Sequence, residues 1–419
     1  MTDARLRVLA VASHPVQYGA PLFRLLGRHP RLDFQVAYCS LRGAEAGYDP
    51  EFAATVKWDV PLLEGYSWTH IPNRGSDSQS FFGLFNPALW KFIRAGRFDA
   101  VWSNLGYLQS SFWISYLAAR SRGAAFLFGC DQGSLQSRGG SGWRTRVKRI
   151  VWPLLYGLAD QITASSTRAK TLLRSLGIPE CRISLTLLSV DNDWWARESA
   201  KVDRRAVRES WGAAHDDVIL LFCAKLQPWK RPFDLLRAFA KLPQTNVRLV
   251  FAGDGPLRSQ LEQEAAALGV SDRVRFLSFV NQSQLPAMYT SADFLILPSD
   301  YEPFGVVLNE AMCCGCPVIA SDQVGAGPDL VAPVDPTLIF PCGNIDALTR
   351  LLSDLVANPS RLRETRRLCV SHMQTCSPES TAALIVQALE RAVSDRRAGA
   401  LANPPVSSTK SSVSGMTPS

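Results

Sequence analysis

The chain has 419 residues, 47% of them hydrophobic and 20% charged, with a formal net charge of +8. That length exceeds what one compact core fills and asks for two domains, while the composition is that of an ordinary globular protein. No stretch approaches the roughly 18 uninterrupted apolar residues of a membrane-spanning helix, so none is expected.

The start of the chain, Met1 to Arg5 followed by Leu6–Ala12, lacks the long apolar region and cleavage site of a signal peptide and reads as a first strand. Ten cysteines lie scattered in apolar runs such as Tyr38-Cys39 and Phe222-Cys223, the pattern of reduced thiols in a cytosolic core. The expected location is therefore cytoplasmic, and the charge allows a place at the inner face of the membrane. Residues 1–193 hold 22 Lys and Arg against 14 Asp and Glu, whereas residues 194–419 hold 23 of each. The whole excess belongs to the first half. The motifs of nucleic-acid-binding folds are missing, so anionic lipid or a pyrophosphate-bearing acceptor is the expected partner, not nucleic acid.

In chain order, apolar strand candidates recur at Leu6–Ala12, Phe34–Tyr38, Ala100–Trp102, Ala125–Phe128, Gln161–Ala164 and Ile183–Leu187. Helical stretches near Pro21–Arg28, Pro87–Arg94, Gln109–Arg120 and Thr167–Ser175 alternate with them, which argues for a parallel sheet covered on both faces over residues 1–190. Two strand ends carry polar candidates. His14 follows the first strand and reads equally as a ligand contact or as a loop histidine bonded to backbone. Asp131, in Gly129-Cys130-Asp131-Gln132-Gly133, either faces a reaction centre or caps a turn.

Residues 137–158 carry Arg138, Arg144, Arg146, Lys148 and Arg149 with no acidic residue, and Trp143, Val147, Ile150, Val151 and Leu154 at helical spacing. Such a helix either lies in an anionic membrane interface or packs its apolar face on the core. Residues 191–217 read as a linker with one helix. Asp191-Asn192-Asp193 spells D-x-D, a pattern that can hold a divalent cation but here suits a turn and cap; no metal is expected.

A second α/β unit is expected over 218–375, then a helix over 376–397 returning to the first domain and a disordered tail over 398–419. Its densest stretch is YEPFGVVLNEAMCCGCPVIAS, residues 301–321, entered from the apolar run Phe294–Pro298. Strand, loop, helix start and next strand form half of a doubly wound sheet, with the ligand crevice at the strands' carboxyl ends. Free N–H groups around Phe304, Gly305, Val306 and Val307 make an anion site, and Gly305 allows close approach. Glu302 and Glu310 beside it suit a polyhydroxylated ligand joined to phosphate, or are charges that only favour the helix dipole. Cys313 and Cys316 have C-x-x-C spacing, but no second pair or nearby histidine completes a metal site.

The string E-P-F-G-x-x-x-x-E-A-M closely resembles the E-x7-E signature of retaining, family-4 glycosyltransferases of the GT-B fold. KLQPWKRPFDLL (225–236) and FAGDGPL (251–257) resemble the same family in the same order. The resemblance implies two Rossmann-like domains facing across a cleft, and metal-independent, retaining transfer from a nucleotide sugar to a glycan or lipid-linked acceptor. A UDP-sugar is expected rather than a GDP-sugar, as substrate and without a further cofactor.

The resemblance also assigns roles. Lys225 and Lys230 would hold the donor diphosphate, Glu302 the sugar hydroxyls and Glu310 the ribose. Gly253 and Gly255 would lie near the nucleotide, with residues 276–285 forming the wall for the base. His14 and Asp131 are candidate catalytic residues by their place beyond strand ends, near where relatives have a glycine-rich loop and a histidine, and not by a motif match. Lys225 stands where relatives have arginine, Ala224 where they have glycine, and the expected histidine near Asp131 is absent. Those departures keep open two rivals, a sugar epimerase of related fold and a non-catalytic nucleotide-sugar-binding partner.

Overall fold

The computed structural model describes residues 5–49, 54–78, 80–136 and 142–402. Two parallel sheets organise it. The first contains β1 (Leu6–Ala12), β2 (Leu32–Tyr38), β5 (Ser67–His70), β6 (Ala100–Ser103), β7 (Ala125–Cys130), β8 (Gln161–Ala164) and β9 (Ile183–Leu185). The short strands β3 (Gly47–Asp49) and β4 (Ala54–Val56) pair antiparallel outside it. The second sheet contains β10 (Val218–Cys223), β11 (Val247–Ala252), β12 (Val274–Leu277), β13 (Phe294–Leu297), β14 (Val318–Ser321) and β15 (Ile339–Phe340).

Strand order is β5-β2-β1-β6-β7-β8-β9 in the first sheet and β12-β11-β10-β13-β14-β15 in the second. Each order reverses once, between β1 and β6 and between β10 and β13. Register fixes those junctions: Val8 lies beside Ala100, and Leu220 beside Phe294. In a doubly wound sheet the loops leaving such neighbours part to opposite faces, which opens a crevice at their carboxyl ends.

The strands read as apolar runs because both faces are covered. Leu9 and Val11 join one core cluster of the first domain, and Val8, Ala10 and Ala12 the other. That second cluster is closed by the terminal helix Pro378–Ala402 through Ala382, Ile385, Val386, Leu389, Ala392 and Val393. The helix therefore returns to the first domain and completes its core. It runs through residues 398–402, which the sequence had assigned to the tail, while 403–419 lie outside the described residues.

The 191–217 segment differs from the linker expected. It forms two helices, Asn192–Ser199 and Arg204–Ser210, that pack into the second domain. Trp195 is buried in that domain's core, and Arg208 pairs with buried Asp293 at 3.0 Å. One helix was expected here; the polar composition hid the second, and the packing of both, because their anchors are isolated side chains rather than an apolar stripe. Asp191 caps the first of them, accepting from the Trp194 N–H at 2.9 Å, so the D-x-D carboxylate has a turn-and-cap role.

Candidate active site

The second sheet's crevice lies between the loops that follow β10 and β13. After Leu297 the chain turns through residues 299–305 into the helix Val306–Cys313. Gly305 makes that turn in a left-handed conformation, φ 99° and ψ 59°. A Cβ there would lie 3.1 Å from Val324 Cγ1 and 3.2 Å from Leu297 Cδ2, so glycine fits on both backbone and steric grounds. No side chain caps this helix, and its first N–H groups lack intrahelical acceptors, leaving an anion site. The turn is fixed from behind, where Gly325 N–H donates to Glu302 O and Ala326 N–H to Phe304 O, at 2.9 and 2.8 Å. Phe304 is anchored in the core, while Val306 and Val307 are half-buried.

The loop after β10 brings cations to the same place. Lys225 is half-buried just past the strand's end, and Pro228–Lys230 forms a single short turn. Asp300 N–H donates to Trp229 O at 2.9 Å, joining the two loops. Lys230 Nζ then meets Glu302 Oε2 in an ion pair whose side chains are 17% and 13% exposed. Residues 72 positions apart in sequence thus form one pair of opposite charge beside the uncapped helix.

Gly253 and Gly255 press against this loop from the other side. Added Cβ atoms would lie 2.2 Å from Ala224 O and 2.7 Å from Leu226 O. Close backbone packing explains both glycines without a donor contact. Glu310 lies deeper, 3% exposed, and accepts from Tyr289 Oη at 2.8 Å. Burial pushes its carboxyl up to about 7, against the opposing effect of the Tyr289 hydrogen bond. Tyr289 also reaches Cys223 Sγ at 3.6 Å, which ties Glu310 to the end of β10. Sequence reasoning missed Tyr289, which sits in a short helix with no motif around it.

The first domain meets this assembly across the cleft. Asp131, exposed at the end of β7, accepts from Gln132 Nε2 at 3.1 Å. Gln132 Oε1 in turn accepts from Tyr301 Oη at 2.9 Å, so the Asp131 loop is bridged to the residue preceding Glu302. Gln132 and Tyr301 were not singled out, although each adjoins a residue that was. Tyr18 is a further omission. It leaves the first domain to pack on the second domain's core, and its phenol is pushed up to about 12, by burial first and the Asp131 charge second.

His14 Nδ1 lies 2.9 Å from Ser13 Oγ. It lines a cavity of about 300 Å³ with Arg42, Asp77, Tyr107 and Gln109, at the first sheet's own reversal point. Other contacts span the cleft. Asn281 Nδ2 donates to Lys57 O at 2.8 Å, Trp58 and Phe279 approach to 6.1 Å between ring centres, and Thr167 N–H donates to Asp329 at 2.9 Å.

The basic segment forms the helix Gly142–Gly157, with residues 137–141, Arg138 among them, outside the described residues. Its apolar stripe does not pack on the core. Trp143, Val147, Ile150 and Leu154 are 65, 47, 70 and 71% exposed, and Val151 is 42% exposed. The opposite side, Trp152, Leu155 and Tyr156, supplies the core contact. With about 100° per residue, Arg144 and Arg146 flank the exposed stripe on either side. The core-packing alternative for that stripe is therefore excluded, and Trp152 belongs to the buried side.

Two domain models match in this order: residues 4–188 match "Glycosyl transferase 4-like domain" and 203–369 match "Glycosyl transferases group 1". Each model covers less than half of the chain; with the paired sheets they show two Rossmann-like domains in the GT-B arrangement, each similar to a glycosyltransferase domain. A D-inositol 3-phosphate glycosyltransferase 2 of Catenulispora acidiphila is 34% identical over 252 residues, which is 57% of this chain and 58% of the relative. The chain thus spans about half the length of the relatives it matches. Anabaena HepE, solved in complex with UDP and glucose, superposes with a TM-score of 0.69 at 19% identity, covering 92% of this chain and all of that one. A structure described as a putative UDP-N-acetylglucosamine 2-epimerase from Listeria monocytogenes gives 0.62 at 15% identity, covering 94% of this chain and 98% of the other. At such identities the likeness carries the fold alone.

Proposed function

We propose that the chain transfers a sugar from a UDP-sugar to an acceptor held by the first domain, with retention at the anomeric carbon and without a metal. The observation that carries this is the Lys230–Glu302 pair beside the uncapped, glycine-started helix. It brings together a cation for a diphosphate, backbone amides for the same anion, and a carboxylate that accepts from hydroxyls. In the bound state Lys230 exchanges Glu302 for a phosphate oxygen, and Glu302 is released to orient the sugar. As the anomeric C–O bond breaks, its electron pair stays on the diphosphate, where Lys225, Lys230 and the helix amides meet the growing charge. The acceptor hydroxyl oxygen forms the new bond to that carbon, and its proton passes to the departing diphosphate oxygen. Glu310 takes the ribose.

An epimerase would need its own acid and base in the cleft. Asp131 and His14 are the candidates for that rival, and Gln132–Tyr301 binds the Asp131 loop in a supporting position instead. The direct test is release of UDP from UDP-sugars with and without acceptor lipid. Glu302→Gln should cut turnover heavily while UDP still binds, because the lost contacts orient sugar rather than nucleotide. Release of UDP without any transfer, or full activity of the variant, would overturn this reading.

The acceptor is a glycan or is lipid-linked, and the exposed stripe of helix Gly142–Gly157 supports the second. Five exposed apolar side chains flanked by Arg144 and Arg146 suit the surface of an anionic membrane, where the stripe is covered and the arginines meet headgroups. The His14 cavity adjoins that helix: Tyr107, in its wall, accepts from Trp152 Nε1 at 3.0 Å. That adjacency favours an acceptor presented from the bilayer.

A further inference from the structure

We propose that a second cavity, at the amino ends of the first sheet, binds a phosphate-class oxyanion and through it fastens the terminal helix to the first domain. The cavity measures about 200 Å³ and is lined by Arg97, Arg122, Arg396 and Arg397 with a single carboxylate, Asp99. By liquid volume it has room for roughly six waters, enough for an orthophosphate and for most of a pyrophosphate. Buried Phe98, Ala124 and Val393 form its floor, so charges there face a low-dielectric wall on one side.

The arginines come from three separate elements. Arg97 follows the helix Ala88–Gly96 in a left-handed conformation, φ 49° and ψ 47°, and Arg122 follows the helix Ser110–Ser121. Arg396 and Arg397 are carried by the terminal helix. The nearby acids are already engaged. Asp99 accepts from Arg7 N–H at 2.9 Å and pairs with Arg397 at 2.7 Å. Asp160, which Arg396 approaches at 3.5 Å, is held at 2.7 Å by both Arg120 and Phe126 N–H.

Helix C-termini supply a bland role for such arginines, since each carries about half a negative charge. The two helices ending at Arg97 and Arg122 offset about one of the excess charges between them, and the cavity stays cationic. A tetrahedral oxyanion meets that excess directly, because guanidinium forks bind its oxygens in pairs. Nothing in the transfer chemistry uses these residues, which lie at the strand ends opposite the cleft.

The ligand chemistry is the same for a free phosphate and for the headgroup of a phosphatidate lipid, and the test separates the two. The full chain, saturated with UDP to fill the cleft, is titrated with sodium phosphate or pyrophosphate against sodium chloride at matched ionic strength. Melting temperature is the readout. The wild type should rise saturably, and Arg97→Ala/Arg122→Ala should weaken the apparent affinity at least tenfold while melting normally without anion. Arg97→Lys/Arg122→Lys, which keeps charge and loses the forks, should fall between and serves if the alanine variant folds poorly. Sedimentation with phosphatidate vesicles is the second arm; loss there, without a soluble-phosphate response, assigns the site to a lipid headgroup. Equal responses in wild type and variants overturn the proposal, as does no response to any of the three probes. So does a response abolished by Lys225→Ala/Lys230→Ala alone, which would place the anion in the cleft.

Discussion

Replacing Glu310 with glutamine isolates the energetic consequence of burying a carboxylate under the proposed donor site. The folded chain holds this carboxyl at about 7, against an ordinary value of 4.5. Between those values the folded protein keeps a proton that the unfolded chain has lost, so stability falls as pH rises through that window and levels off above it. The contribution is fully present below about 4.5 and gone above about 7. At roughly 1.4 kcal/mol per pKa unit, the span corresponds to about 3 kcal/mol. Glu310→Gln removes the titration and keeps an acceptor for Tyr289. The stability difference between variant and wild type should therefore grow by about 2–3 kcal/mol from pH 5 to pH 8, in the variant's favour.

Urea denaturation at four pH values, with the slope fitted at each, measures that difference, and other titrations common to both proteins cancel in it. Under the proposed ribose contact, the same variant should bind UDP more weakly at pH 8. Greater stability with poorer binding is the signature of a site kept for function at the expense of the fold. A difference that stays constant across the pH range would refute the buried-carboxylate argument. Unchanged UDP affinity would remove Glu310 from the nucleotide.

Lys230→Ala should weaken UDP by about 1.5–3 kcal/mol, the range of a charged hydrogen bond, and Lys225→Ala should do likewise; isothermal titration with UDP reads both. Ile150→Ser/Leu154→Ser should lower partition onto vesicles containing phosphatidylglycerol. At about 1.5 kcal/mol for each buried side chain the loss is roughly hundredfold, with UDP affinity unchanged. Neutralising Arg144 and Arg146 should make the remaining binding less dependent on salt. Activity should survive EDTA and persist in Asp191→Asn, since asparagine also caps a helix; full loss on chelation with recovery on manganese would restore the D-x-D reading.

The fold was legible wherever the sheets are buried on both faces. Continuous apolar runs such as Val218–Cys223 and Phe294–Leu297 have few competing interpretations once helices alternate with them. Ser67–His70 escaped notice because it is an edge strand with a half-exposed, polar sequence, and Ile339–Phe340 because two residues make no pattern. At the site, the sequence identified residue types but not their pairing. Glu302 and Lys230 were assigned to different parts of one ligand, and only the parallel alignment of β10 with β13 reveals that they neutralise each other without it. Gln132 and Tyr301 had no signal of their own, since a single cross-domain hydrogen bond depends on how the domains face each other. For the helix Gly142–Gly157, periodicity gave the stripe but not its direction. That depended on Trp152 and Tyr156, on the opposite side, being the ones that reach the core.

Under the proposed function, the pairing of Glu302 with Lys230 also constrains how a donor enters. Among the described residues, contacts across the cleft include Tyr18 on the second domain's core, the 57–59 segment against 279–283, Tyr301 on Gln132, and Thr167 with Arg168 on Asp329 and Asp322. Most are polar and of the kind worth about 1 kcal/mol each in net terms, so parting the domains is inexpensive and relative motion is the default. The chain crosses between domains twice, and both crossings meet at one side, where Thr381 Oγ1 donates to Leu187 O at 2.8 Å and Asn192 Nδ2 to Met373 O at 2.7 Å. Motion about those crossings would part the 57–59 segment from 279–283, Trp58 from Phe279 included. On that reading a donor entering the cleft meets a neutral Lys230–Glu302 pair and must break it to be held. A bare nucleoside diphosphate takes the lysine and leaves the carboxylate without a partner, whereas a nucleotide sugar supplies partners to both. Under the proposed function the resting ion pair thereby favours the complete donor over its product, which is the direction that turnover needs.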